Sequence, residues 1–405
     1  MKTGYGWLVA FVALGGCRHK EEAPMPRRAP ESAPSAQADP QFKRLTDAAD
    51  KAESAGGKLL ERTSFYPTQR AQLMKDLAPA TDEAKSILGA RFAYDPIAPF
   101  AERPHRKGWR AIGRVMVWRI EDAMAANKPA DAVEAFLAAS RFGFGISGGD
   151  ASDATLGLAI VDEARRSILP ALPMMDAKQM SRLSQGLKAA LSLRPGPEAV
   201  VRNERARSQM FVQALQDATQ RGEIGEFERR MGRDGRPAVD HLRAIREETN
   251  ELRSYFDGLA AEVDARFALE EKLANVPKSE RQDEKKNPLE PDLPAERPWR
   301  RFIRHFVLTV PAYRAMDDVT VARTRMLIVT AELSRRRKMG QPLPNDLRPF
   351  SEGVRTDPYT GHDFVYRTDG AEWTLHSAGE DLTDNGGETD AAGEAPDLIL
   401  EPQKE

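Results

Sequence analysis

The chain has 405 residues, one cysteine, and 60 lysines plus arginines against 62 aspartates plus glutamates, for a formal net charge of −2. The balanced charge argues against an electrostatic nucleic-acid footprint. The single cysteine excludes an intrachain disulfide and any multi-cysteine metal site. A mean hydropathy of −0.56 excludes a polytopic membrane protein. The length points to two or more structural units.

Residues 1–17 read MKTGYGWLVAFVALGGC. Lys2 gives a short positive start, and residues 5–14 form a mostly apolar run. That run is too short to cross a hydrocarbon core of about 30 Å as a helix, but it fits the apolar segment of a signal peptide. It ends in Leu14-Gly15-Gly16-Cys17, which resembles the lipobox of bacterial lipoproteins. An ordinary secretory signal that contains a cysteine is the alternative. The resemblance implies removal of residues 1–16, acylation (palmitate included) of Cys17, and membrane attachment through that lipid. Several acyl chains anchor stably where one is marginal. Arg18 stands where that family's inner-membrane retention signal has aspartate, which favours the outer membrane, facing the periplasm. The rest of the 17–41 segment is Pro, Ala, Ser and charge with no apolar period, and it reads as an extended tether.

Residues 42–275 are rich in good helix formers and are broken at Pro and Gly clusters, which predicts a multi-helix bundle or helical-hairpin body. A helix is predicted over 109–126, with Ile112, Met116, Ile120 and Met124 on one side. Asn127-Lys128-Pro129 then turns the chain into a second helix carrying Ala132, Phe136 and Ala139. The pair resembles one tetratricopeptide hairpin, or is an αα-hairpin of a larger bundle. After Pro237, the residues Leu242, Ile245, Leu252, Phe256, Leu259, Val263 and Phe267 make an apolar stripe, with Thr249 in its one polar slot. This predicts a long amphipathic helix. Residues 276–298 read as a charged, mobile linker, and 299–340 as a helix leading into the last unit.

Two catalytic patterns overlap in residues 143–149, GFGISGG. G-x-G-x-x-G falls on Gly143, Gly145 and Gly148, and G-x-S-x-G on Gly145, Ser147 and Gly149. Both mechanisms need a preceding strand, whereas residues 132–141 read as helix, so a Gly-rich helix end is expected, with Asp150 or Ser152 capping the next helix. None of the six histidines stands at metal-ligand spacing on a helix. Arg297, Arg300, Arg301 and Arg304 with Trp299, Phe302 and Phe306 could touch phosphate or lipid headgroups, or simply line a solvated helix face.

The last part, 341–405, changes character and predicts a small α+β unit. It holds a D-P-Y-T-G turn at 357–361, a strand at 364–367, a turn at Asp369-Gly370, a strand at 373–377, an acidic Gly-rich loop, and a closing Asp397-Leu398-Ile399. Over residues 320–400 this order resembles the periplasmic part of type II secretion pseudopilins of the major (G) type. It lacks their prepilin cleavage site and long fibre-building helix. The resemblance implies a calcium loop in which Asp381 and Asp397 align as ligands. Asp384, Asn385 and Asp390 lie nearby, and oxygen ligands on a loop suit Ca²⁺. An EF-hand is excluded, since Thr383 and Ala392 occupy the third and twelfth positions counted from Asp381.

Taken together, the sequence predicts a non-enzymatic, lipid-anchored envelope protein acting as a scaffold or interaction module with other envelope proteins. The alternatives are an envelope hydrolase with its site in the helical body and an accessory component of a type II secretion or pilus-like machine.

Overall fold

Aspartate and proline set most of the helix starts. Asp39 and Asp150 accept from the first free backbone amides of their helices, and Asp176 forms a capping box with Gln179. Pro40, Pro67, Pro129 and Pro197 each open a helix, where a missing N–H is harmless. The computed structural model describes residues 39–62, 64–88, 105–281, 309–370, 372–387 and 397–400. Cys17, most of the tether, most of the charged linker, the Arg297–Arg304 patch and Asp390 fall outside these residues.

The elements are α1 (Pro40–Gly56), α2 (Pro67–Asp76), α3 (Ala78–Ile87), α4 (His105–Ala125), α5 (Pro129–Ile146), α6 (Ala151–Ile168), α7 (Ala177–Leu193), α8 (Pro197–Arg221), α9 (Gly225–Ala244), α10 (Thr249–Leu273), α11 (Thr309–Lys338) and α12 (Glu352–Arg355), followed by β1 (Val365–Thr368) and β2 (Trp373–His376). The protein is thus mainly α, with one small antiparallel hairpin among the described residues. No helix among the described residues is long and apolar enough to cross a membrane.

The largest core is built by α1, α3, α4, α5, α6, α7 and α11, with Trp109, Ile112, Phe136, Leu137, Phe142, Leu183 and Met326 almost fully buried. The α4–α5 hairpin forms as the sequence predicts. Asn127 takes the left-handed conformation (φ 53°) that the tight turn needs.

A second core joins α8, α9 and α10. Here the predicted long helix is interrupted: α9 ends at Ala244 and α10 starts at Thr249. Every apolar residue of the stripe from Leu242 to Phe267 is nonetheless buried in this one core. Exposed Thr249, the polar slot, marks the place where the chain turns. An apolar period reports which face is buried, and two helices meeting end to end can share it.

The glycine pattern at 143–149 is accounted for by packing. Gly143 and Gly145 lie inside α5, as expected of a helix end. A Cβ on Gly143 would stand 2.5 Å from the carbonyl oxygen of Gly157, and one on Gly157 would stand 2.3 Å from that of Gly143. The two glycines let α5 and α6 touch backbone to backbone. The Ser147 hydroxyl is buried and donates to the Phe144 carbonyl at 2.8 Å. With no strand before it, this serine is neither a nucleophile elbow nor part of a dinucleotide loop.

The C-terminal part is not held apart from the helical body. Leu347, Phe350, Val354, Tyr359 and Phe364 enter the same core as α4, α5 and α11. The start of the charged linker is also fixed: the Lys278 and Ser279 amides donate to the Pro358 and Tyr359 carbonyls at 3.2 and 2.8 Å. Residues 276–281 are therefore an ordered strap over the 357–361 turn, because that turn offers free carbonyls at its surface.

Candidate metal centre

The hairpin pairs Val365 with His376, Tyr366 with Leu375, Arg367 with Thr374 and Thr368 with Trp373. Side chains alternate across it. Trp373 and Leu375 pack towards the helical core, and Thr374 and His376 take the other face. His376 is nevertheless only 1% exposed, because the acidic loop folds over it. Gly387 makes that approach possible, since a Cβ there would sit 3.0 Å from His376 Nδ1.

The chain then returns at 397–400. The Ser377 and Leu398 backbones exchange two hydrogen bonds, at 3.0 and 2.9 Å. Arg165 of α6 donates to the Leu400 carbonyl. These ties bring Asp397, 1% exposed, beside the ring of His376.

The resulting cluster is His376, Asp384 and Asp397, with one donor atom from each lying within 4.8 Å of the others. His376 Nε2 is 2.8 Å from Asp384 Oδ1 and 3.5 Å from Asp397 Oδ2. Without an ion, the 2.8 Å contact is a hydrogen bond in which Nε2 donates, since an ionised carboxylate only accepts. Asp384 Oδ1 also accepts from the Gly386 amide at 2.9 Å, and its Oδ2 pairs with Arg367. The His376 contact first, and then the Gly386 amide, hold the Asp384 carboxyl below the usual carboxylate range. Asp397 Oδ2 accepts from the Gly387 amide at 2.6 Å, while its Oδ1 is buried with no partner. A buried carboxylate oxygen without a partner is costly and marks a place where a cation would be favourable.

The predicted ligands are distributed unevenly. Asp397 and Asp384 come together. Asp381 is exposed, and its two oxygens accept from the Thr383 amide at 3.0 Å and the Asn385 amide nitrogen at 2.9 Å. It shapes the loop and stands outside the cluster. Asp390 is not among the described residues. His376 is the donor that sequence reading misses. The signal for it is the alternation in Trp-Thr-Leu-His, which puts His376 on the loop side of the hairpin.

The donor set bears on the ion. Two ligand atoms each about 2.1 Å from one ion lie no more than about 4.2 Å apart, and both His376 spans fall inside that limit. Calcium takes six to eight oxygens, whereas imidazole with carboxylates suits zinc, manganese or iron. Of the two, the three-residue cluster fits the latter group better. Three chain segments supply the ligands, so an ion here would fasten β2, the acidic loop and the closing segment to one another.

Comparison of the chain with protein-family models, with curated proteins and with solved structures finds no match.

Proposed function

We propose that the chain is a non-enzymatic, lipid-anchored protein of the bacterial cell envelope that works as a scaffold or interaction module. The observation that carries this reading is the only cysteine of the chain, Cys17, standing directly after an apolar run and Gly15-Gly16. The acyl chains on Cys17 would hold the protein at the membrane, the outer membrane being favoured by Arg18, and the 17–41 tether would space the helical body from the lipid surface.

A divalent ion at His376, Asp384 and Asp397 would then act structurally, by locking the C-terminal unit against the body. What supports this is the gathering of His376, Asp384 and Asp397, together with a second Asp397 oxygen that is buried and has no partner. A second reading, an accessory part of a type II secretion or pilus-like machine, draws on the 357–361 turn, the hairpin and the Ser377–Leu398 closure. These follow one another in the order that the pseudopilin resemblance implies.

The test of the anchor is fractionation and N-terminal mass spectrometry of wild type and Cys17→Ala. Wild type is expected in membranes with an acylated Cys17, and the variant with its signal uncleaved and its acylation lost. A variant that is processed and distributed like wild type would sink the reading.

A further inference from the structure

Four segments meet around a cleft of about 230 Å³: the α7–α8 joint at Arg194 and Pro197, the chain leaving α10 at 274–277, one face of α11, and the turn at 356–358. A water needs only about 15 Å³, and drug-sized pockets begin near 300 Å³, so the space suits a ligand of a few heavy atoms. Three guanidinium groups and three carboxylates line it, on Arg194, Arg281, Arg325, Asp317, Asp318 and Asp357.

Five of these six are matched. Arg281 holds both oxygens of Asp318 at 2.7 and 3.0 Å, and its Nε donates to the Val276 carbonyl at 2.6 Å. Arg194 gives one nitrogen, Nη1, to both oxygens of Asp317, at 2.9 and 3.0 Å. Asp357 is engaged by neutral donors: the Tyr359 amide at 3.0 Å, the Ser377 hydroxyl and the Ala378 amide.

Arg325 is the exception. Its Nη1 donates to the Thr356 carbonyl at 2.7 Å, and its Nε is buried with no partner. No ion pair at 4.0 Å or less between described residues includes it. Burial, and after it the neighbouring charge of Arg194, lower its pKa from the ordinary arginine value, and Asp317 and Asp357 oppose this only partly. A half-buried cation without its own counter-ion is unfavourable, and a planar guanidinium edge is shaped to take two oxygens of one anion.

We propose that this cleft binds a small oxyanion, a carboxylate or phosphate group, on Arg325. The Arg281–Asp318 and Arg194–Asp317 pairs form walls that are already neutralised. The strap at 276–281 and the 357–361 turn close the side nearest the C-terminal unit. A bound oxyanion would give Arg325 the counter-ion it lacks and would join α11 to the turn.

The test titrates the full-length chain with sodium phosphate and, separately, with sodium acetate. Ionic strength is held constant with sodium chloride, and the readouts are Tm and, for phosphate, the ³¹P line width. At least one of the two anions is expected to raise Tm saturably above the chloride reference. Phosphate alone would mark a phosphate-bearing ligand, and acetate alone a carboxylate. Arg325→Met is expected to weaken the apparent affinity by at least about ten-fold, the scale of a lost charge-assisted hydrogen bond. Its Tm without added oxyanion sets the variant's own baseline, since the change removes the cation and its bond to the Thr356 carbonyl together. If Arg325→Met does not fold, Arg325→Lys is read instead; it keeps the charge and loses the fork, and it should bind at least about three-fold more weakly. No saturable rise with either anion, or an affinity unchanged in the folded variant, overturns the proposal.

Discussion

The core around α5 and the C-terminal hairpin with its closing segment rest on apolar burial to very different degrees. In the first, Phe136, Leu137 and Phe142 are almost fully buried, and α5 meets α6 through Gly143 and Gly157 with nothing between the backbones. In the second, the pairing is two strands of four residues, the apolar residues Trp373, Leu375, Leu398 and Leu400 are only half-buried, and the polar ties of the closing segment are one bridge, one arginine-to-carbonyl bond and the His376 cluster. An isolated two-stranded hairpin is marginal in water. Apolar burial does not depend on pH or on a bound ion, whereas a few polar ties can be loosened one at a time. The hairpin end is thus the part whose order can respond to an ion or to pH.

The largest expected effect lies in the apolar core. Phe136→Ala should cost about 4 kcal/mol in denaturant unfolding, as transfer and cavity terms add. A loss under about 1 kcal/mol would mean that this core is looser than its burial implies. Next is Asp162, which faces Arg165, Arg166 and Arg323 at 2.9, 2.5 and 3.4 Å. Asp162→Asn should cost about 3 kcal/mol, since it leaves the buried Arg165 guanidinium uncompensated. Burial works to raise the Asp162 pKa, and the three arginines outweigh it, so the folded value lies below the ordinary 3.8. The contribution is therefore present above that pH and lost as pH falls through the folded value. Unfolding midpoints of wild type and variant should converge on acidification.

Gly157→Ala should cost about 2 kcal/mol, because its Cβ would meet backbone that cannot yield as a side chain would. Equal stability would show that α5 and α6 can move apart without loss. On the hairpin side, Asp397→Ala should cost about 1–2 kcal/mol. The loss should be local: faster hydrogen exchange at the Ser377 and Leu398 amides, with the α5 amides unchanged. Zinc or manganese should slow those two amides in wild type and leave the variant unaffected, while slowing by calcium that persists in His376→Ala would move the ion to the oxygens of the 381–387 loop. Smallest of all is Arg337→Ala, which breaks an exposed pair with Glu372 and should change stability by less than about 0.5 kcal/mol.

Much of this was legible in the chain because it rests on local rules. The helical class, the Asn127-Lys128-Pro129 turn, the hairpin turn at Asp369-Gly370 and the helical setting of Gly143 follow from propensity, capping and turn chemistry. The break between α9 and α10 was not legible, because the apolar stripe runs through it unchanged. The site was half legible: the sequence puts Asp381 and Asp397 first and Asp384 only nearby, whereas Asp397 and Asp384 are the two that meet and the oxygens of Asp381 are spent within the loop.

By itself the sequence determined the helical class, the positions of most turns and the singular place of Cys17, because each depends on neighbours a few residues away. Only the tertiary structure decided that Gly143 answers to Gly157, that the 276–281 strap lies on the 357–361 turn, and that His376 joins two aspartates from other segments. These pairings join segments from about 10 to about 80 residues apart, and in each the partner is chosen by packing that no local pattern encodes.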